Sequence, residues 1–185
     1  MLKVKPYLEL FVGGMFAGKT TALQAKGKRH SIAGQSVFYV KPKIDDRYSA
    51  SKIVTHDGSA VVSKVLNTEE LYCEAMESGS DVILVDEVQF FGADIVSHIL
   101  MLVEAGKTVY CSGLDLDYQG QPFEITTQLM AYANKVNKMT AVCTDCGEDA
   151  FVTVKTTDSN YRIEVGGADK YKPLCRECFY NQKLK

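Results

Sequence analysis

The sequence has no apolar run near the ~20 residues that a membrane-spanning helix needs, and Met1 to Pro6 lacks the apolar core of a secretory signal. It also lacks an excess of either charge, with 21 Lys and Arg against 23 Asp and Glu and a formal net charge of -2. That balance withholds any sequence-independent pull toward nucleic acid and favours a small-molecule partner. Internal repeats and low-complexity tracts are missing too, which excludes a fibre, a coiled coil or a disordered tail. What is present is 185 residues, 46% apolar and 24% charged. A chain of that size buries roughly 70% of its unfolded surface and stands without disulfides. The expectation is a cytoplasmic protein that engages neither membrane nor nucleic acid.

From residue 7 to about 142, short apolar runs alternate with amphipathic or glycine-bounded stretches, the pattern of βα units around a mainly parallel sheet. Tyr7 to Val12, Ser36 to Val40, Asp81 to Val85, Thr108 to Ser112 and Lys138 to Cys143 read as strands. Helices are expected from Lys19 to Ala33 before Gly34, from an Asn67/Glu70 capping pair to Gly79, from Asp94 to Gly106, and from Thr126 to Ala133. Residues 41–60, with Pro42, three Asp and Gly58, read as a long loop of the kind that is either functional or disordered. Beyond Cys143 the composition shifts to cysteine and glycine, with strand-like patches at Phe151 to Lys155 and Arg162 to Val165 and too little apolar material for a separate core. The expected division is a nucleotide-binding α/β unit over 1–142 and a small unit over 143–185.

Gly13-Gly14-Met15-Phe16-Ala17-Gly18-Lys19-Thr20 matches the phosphate-binding loop G-x-x-x-x-G-K-[ST] and lies between a strand and a helix. Its glycines let backbone amides wrap phosphate oxygens at a helix N-terminus, Lys19 reaches the β and γ phosphates, and the Thr20 hydroxyl suits Mg²⁺. Val82 to Val85 then delivers Asp86 and Glu87 at the C-terminal end of a strand, where parallel sheets bind ligands. Asp86 is expected to hold magnesium, and Glu87 to take a proton from an attacking hydroxyl or water. A strand ending in solvated carboxylates is the plain alternative.

Cys143-x-x-Cys146 and Cys175-x-x-Cys178 can supply four thiolates to one structural Zn²⁺. The 28 residues between the pairs exceed the usual spacing, so they must form a long hairpin or loop. Disulfides or a redox pair are the alternatives, and a cytoplasmic setting disfavours the first. Cys73 and Cys111 read as core residues.

In this order, the P-loop with Met15 and Phe16 inside it, Asp45-Asp46-Arg47-Tyr48-Ser49, Thr55-His56-Asp57, Asp86-Glu87-Val88-Gln89-Phe90-Phe91, the cysteine pairs and Gly166-Gly167-Ala168-Asp169-Lys170-Tyr171 resemble the type II thymidine kinase family over nearly the whole chain. The resemblance implies a RecA-like core, a zinc-ribbon-like subdomain with a lasso loop, and transfer of phosphate from ATP to the 5′-hydroxyl of thymidine. It also implies a homotetramer and feedback inhibition by thymidine triphosphate. By the same resemblance Glu87 is the general base, Arg47 stabilises the transferring phosphoryl, and Asp45 helps to place magnesium or water. Met15, Phe90, Leu114, Tyr118 and Phe123 take the places that line the thymine pocket. The lasso, about Arg162 to Tyr171, closes over the base through main-chain hydrogen bonds, with Arg162, Ile163, Glu164, Val165, Gly166 and Tyr171 as its candidate contacts.

Departures from the family pattern bear on affinity. Gly14 stands where relatives usually carry Pro and leaves the loop more flexible without removing a phosphate contact; Ala17 replaces a frequent Ser; Tyr118 replaces a frequent Phe, so its hydroxyl must find a partner near the base. Of the three His, His30 reads as solvated, His98 as packed, and His56 as a loop-ordering residue with a lesser claim to function. Lys26, Lys28 and Arg29 read as a wet helix face. Ile99 to Val103 is apolar beyond the needs of one buried stripe and could also serve a subunit interface. The competing reading of the whole chain is a RecA-like ATPase module whose cysteine knuckles hold a partner or a nucleic acid.

Overall fold

A computed structural model describes residues 5–43, 52–54, 60–157 and 167–183. The chain runs β1 (Tyr7–Val12), α1 (Lys19–Ile32), β2 (Val37–Pro42), β3 (Lys52–Val54), β4 (Ala60–Val62), β5 (Lys64–Leu66), α2 (Leu71–Glu77) and β6 (Val82–Val85). A 3-10 turn (Val88–Phe90), α3 (Ile95–Glu104), β7 (Thr108–Gly113), α4 (Glu124–Tyr132) and β8 (Lys135–Lys138) follow. The last stretch holds β9 (Ala141–Val142), β10 (Asp149–Ala150), β11 (Val152–Lys155), β12 (Tyr171–Leu174) and α5 (Arg176–Lys183).

Six strands form one sheet in the order β5-β2-β6-β7-β1-β8, and every pairing in it is parallel. Alternation along the central strands divides the apolar side chains between two helical layers. Leu8, Leu10, Val12, Ile83, Val85, Val109 and Cys111 pack with residues of α2, α3 and α4. Phe11, Val82, Leu84 and Tyr110 pack on the other face with Leu23 of α1. Helix α1 comes so close to β2 that a Cβ on Gly27 would lie 1.9 Å from the Tyr39 hydroxyl, so glycine here is a packing requirement. Because β7 lies between β1 and β6, the C-terminal ends of all three strands converge, with Val12 opposite Gly113 and Val85 opposite Cys111.

Several expectations change. The fifth strand of the sheet is Lys135–Lys138, not 138–143, and its sequence is polar because it is an edge strand. Its pairing is specified instead by Asn137, which donates from Nδ2 to Glu9, and by Asn134, whose Oδ1 accepts from the Leu8 amide. The loop at 41–60 contains the β3–β4 hairpin and leads directly into a sixth parallel strand, β5, too short to stand out in the sequence. The Phe151–Lys155 patch does form a strand, but its antiparallel partner is Tyr171–Leu174; the other patch, 162–165, lies outside the described residues. Helix α2 starts at Leu71, with Glu70 accepting from the Asn67 amide as half of the anticipated capping pair.

His30 is buried, not solvated: its Nδ1 meets Gln35 Oε1 and its Nε2 lies 2.8 Å from the Tyr110 hydroxyl. Sequence periodicity hid this because α1 is mostly polar while its inner face satisfies polar groups. His98 is half-buried and donates from Nδ1 to the Thr68 carbonyl. Cys111 is buried as expected, whereas Cys73 is exposed on α2, a helix too short to bury more than one stripe. Among the described residues no helix is long and apolar enough to cross a membrane.

The cysteine-rich stretch builds its apolar cluster against the phosphate loop. Ala141, Ala150, Val152, Val154, Leu174 and Phe179 cluster with Ala17 of the phosphate loop, and Phe16, Leu116 and Met139 pack against them.

Candidate active site and metal centre

The phosphate loop leaves β1 and turns into α1 through backbone conformations that the sequence must permit. Gly13 has φ 143°, and a Cβ there would lie 2.1 Å from the Met139 carbonyl oxygen. Phe16 and Gly18 lie in the left-handed region at φ 67° and 78°. Lys19 is buried and donates from Nζ to the Gly14 carbonyl at 2.7 Å, which folds the side chain back over the loop. The Met15 amide donates to the Thr153 hydroxyl at 2.8 Å. A Cβ on Gly14 would come within 2.6 Å of that oxygen, so the missing Pro or any other side chain at 14 is what lets β11 reach the loop. The same close approach packs Gly14 against β11.

At the end of β6, buried Asp86 receives hydrogen bonds from the Thr20 hydroxyl at 3.0 Å, from the Ser112 hydroxyl and from the Glu87 amide. Burial pushes its carboxyl up to about 6, the charge of Glu87 adds to the rise, and Ser112, Thr20 and Lys19 oppose it. A desolvated carboxylate beside a hydroxyl, both hard oxygen donors at a phosphate loop, fits a divalent cation such as Mg²⁺. The next residue, Glu87, is held at φ 51°, a conformation that costs a non-glycine residue about 1 kcal/mol or more. Its Oε2 accepts a hydrogen bond from Nε2 of Gln89.

The candidate nucleoside-wall residues follow from these strand ends. Leu114, just past β7, is half-buried and donates its amide to Gln89 Oε1 at 2.9 Å. Tyr118 has Lys155 of β11 over its ring, 4.6 Å from the centroid, and its hydroxyl accepts from Nε2 of the adjacent Gln119 at 3.1 Å. Phe123 is buried and donates its amide to the Asp115 carbonyl. Phe90 borders a cavity of about 500 Å³ with Pro42, Leu66, Thr68, Phe91 and Gly92 at the ends of β2, β5 and β6. Met15, Leu114, Tyr118 and Phe123 do not line that cavity. Tyr171 is buried on β12, opposite Lys155 in register. Arg47, Asp45, His56, Arg162, Ile163, Glu164, Val165 and Gly166 lie outside the described residues.

Three site residues had no signal of their own in the sequence. Ser112 merely ends an apolar strand, Thr153 occupies a strand patch, and Gln89 was visible only as a letter within the Asp86–Phe91 segment. Each is placed by a long-range approach of two elements, which no local pattern reports.

The sulfur atoms of Cys143, Cys146, Cys175 and Cys178 all lie within 4.8 Å of one another, and among the described residues no cysteine forms a disulfide. The first pair sits on the β9–β10 turn, where Gly147 at φ 83° closes the knuckle by donating to the Cys143 carbonyl. The second pair opens α5, with the Cys178 amide donating to Cys175 Sγ. Burial raises the Cys143 thiol, but amide donors from Cys175, Asp145 and Cys146 outweigh it and bring it down to about 6, whereas hydrogen bonds from Cys175 and Cys146 push the Cys178 thiol up. Four sulfurs gathered from two knuckles fit a tetrahedral zinc site with no open position.

Solved structures share the architecture. The flagellar accessory protein FlaH from Methanocaldococcus jannaschii superposes with a TM-score of 0.51 at 15% identity, covering 78% of this chain and 75% of that one. The Legionella pneumophila ATPase DotB does so at 0.50 and 12% identity, covering 80% of this chain but only 44% of that one. Those likenesses concern the P-loop fold. Sequence narrows it further: a "Thymidine kinase" of Rhodothermus sp. (strain ITI 518) is 39% identical over 173 residues, 94% of this chain and 81% of the relative. Since the family model described as thymidine kinase also matches residues 6–179, the chain belongs to the thymidine kinase family.

Proposed function

We propose that the protein transfers the γ-phosphoryl group of MgATP to the 5′-hydroxyl of thymidine, and of deoxyuridine, with a homotetrameric assembly and inhibition by thymidine triphosphate. The observation that carries the chemistry is the meeting of Lys19, Thr20, Asp86 and Glu87 beyond the C-terminal ends of the central strands β1 and β6 in a chain of this family. The 5′-oxygen forms a bond to the γ-phosphorus as the bond from that phosphorus to the β–γ bridging oxygen breaks, and ADP leaves with the electron pair. Glu87 takes the hydroxyl proton. Lys19 and the loop amides orient the phosphates. Mg²⁺, held by Thr20 and Asp86, would offset negative charge on the phosphate oxygens.

In this reading Arg47 and Asp45 serve the transferring group. Met15, Phe90, Leu114, Tyr118, Phe123 and Tyr171 form the wall for the base together with the 162–166 backbone, whose amides and carbonyls can read the thymine edge whatever their side chains. Residues 1–142 act as the nucleotide-binding unit and 143–185 as a zinc-stapled unit that anchors both ends of the lasso, lowering the entropy cost of closure.

The test is a product assay with MgATP and each nucleoside in turn, scoring nucleoside monophosphate separately from ADP. Monophosphate from thymidine and deoxyuridine, with little from purine nucleosides or deoxycytidine, is the expected result. ADP without phosphorylated nucleoside would transfer the assignment to an ATPase of the same fold. Glu87→Gln should retain nucleotide binding and lose at least ~10² in turnover, in line with general-base contributions.

A further inference from the structure

Gln89 is buried in the 3-10 turn that follows Glu87, with its side chain reaching two elements at once. The Leu114 amide lies 2.9 Å from Oε1, and an N–H can only donate, so the carboxamide oxygen must face Leu114. That fixes the orientation of the group, since a flip would set two donors against each other. Nε2 is thereby directed at Glu87, where it donates to Oε2. A hydrogen bond to a carboxylate is about twice as strong as a neutral one.

The backbone was shaped for this side chain. A Cβ on Gly113, at the end of β7, would lie 2.9 Å from Gln89 Oε1 and 2.7 Å from Val88 Cγ2. Glu87 itself is held in a left-handed conformation that unconstrained chains avoid, with its amide on Asp86 and its carboxylate on Gln89. One side chain therefore connects the acidic end of β6 to the backbone at the start of the 114–123 segment.

We propose that Gln89 is a positioning residue for phosphoryl transfer: its carboxamide aims the Glu87 carboxylate and ties that aim to the Leu114 backbone, so that the base and the nucleoside wall keep a fixed separation. The inference rests on the assignment of Glu87 as the base. It extends that assignment by naming a side chain that orients the carboxylate, whose placement within a fraction of an ångström matters.

Gln89→Met keeps the length and removes both hydrogen bonds. Gln89→Glu keeps an acceptor for Leu114 and replaces the donor to Glu87 with a repelling carboxylate, so it serves where the Met variant fails to fold. Steady-state kinetics of both, alone and combined with Glu87→Gln, separate the roles. Either single variant should lose about 10- to 100-fold in kcat, the scale of a hydrogen bond to a charged group, with KM for ATP within about 2-fold. In the Glu87→Gln background the same change should cost less than about 2-fold further, because the group it acts through is already gone. Equal losses in both backgrounds, or near-wild-type kcat for Gln89→Glu, would overturn the inference while leaving Glu87 as the base. Wild-type turnover of Glu87→Gln alone would remove the base assignment and this inference with it.

Discussion

The Thr153 hydroxyl accepts a hydrogen bond from the Met15 amide, so a strand of the cysteine-rich unit holds one of the amides of the phosphate loop. These residues are 138 positions apart in the chain. β11 also runs toward the 156–170 segment and β12 returns from it, so Thr153 lies on the strand that leads from the phosphate loop into that segment. Phe16 and Ala17 pack into the same apolar cluster as Val152 and Val154.

Thr153→Val should therefore weaken ATP binding as well as the fold. The swap preserves shape but leaves a partly buried amide without its acceptor, at a cost of about 1–3 kcal/mol. For a chain of this size that corresponds to a fall in Tm of about 2–4 °C per kcal/mol. Thr153→Ser should restore both. Gly14→Ala, whose Cβ would sit 2.6 Å from the same oxygen, should be costly in the wild type and nearly harmless beside Thr153→Ala. Thermal melts and ATP titrations of Gly14→Ala, Thr153→Ala and the double variant would show whether the pair acts as a unit; additive losses would mean that it does not.

Metal removal should spread from the cysteines to the nucleotide site. One zinc per chain is expected, and a strong chelator should loosen the β9–β10 turn at Cys143–Cys146 and the start of α5 at Cys175–Cys178 first, since the metal would cross-link two knuckles otherwise joined by bonds such as Thr144 to Pro173 and Lys172 to Asp145. Loss of that unit removes the Thr153 acceptor, so ATP affinity should fall while β1, β6 and β7 keep their slow amide exchange. Metal analysis combined with hydrogen exchange checks this. A metal-free protein with unchanged protection over 141–183 would exclude a structural zinc.

How much of this could be read from the sequence depended on whether a feature was local. The phosphate loop, the Val82–Glu87 strand end and the two cysteine pairs are contiguous segments whose residue types state their chemistry. β1 matched the sequence reading residue for residue because a strand buried on both faces is a nearly continuous apolar run, broken here only by Glu9. β8 did not, because an edge strand made of Lys, Val and Asn resembles a loop until Glu9 is seen beside it. Ser112, Gln89 and Thr153 escaped for a related reason: each is an ordinary polar residue given a role by the crossing of β7 between β1 and β6, or by the return of β11 onto the phosphate loop. His30 and Cys73 show the converse, since a polar helix can bury an imidazole and a short apolar-looking one can expose a thiol.

Glu9 carries the remaining prediction, which concerns pH. It lies in the interior of β1 with only 2% of its surface exposed, facing α1 between Tyr7 and Phe11. Lys26 Nζ is 2.9 Å from Oε2, Lys135 Nζ is 3.5 Å from Oε1, and Asn137 donates to Oε1. Burial raises the carboxyl's pKa, but the hydrogen bonds from Lys26 and Asn137 and the charges of Lys26 and Lys135 outweigh it, so the folded value lies below the ordinary one. A depressed acid pKa stabilises the fold above the unfolded value of ~4.3, and that contribution is lost as pH falls through the folded value. Glu9→Gln should accordingly melt lower than the wild type at neutral pH, by an amount corresponding to about 1–3 kcal/mol for a broken buried charge pair with one half-exposed partner. The gap between the two melts should then narrow as pH drops below ~4.3, because the wild-type carboxyl gains the proton that makes it equivalent to the amide. Melts across that range decide the matter: a gap that stays constant on acidification would mean that the carboxylate charge contributes nothing and that packing alone holds α1 and β8 to β1.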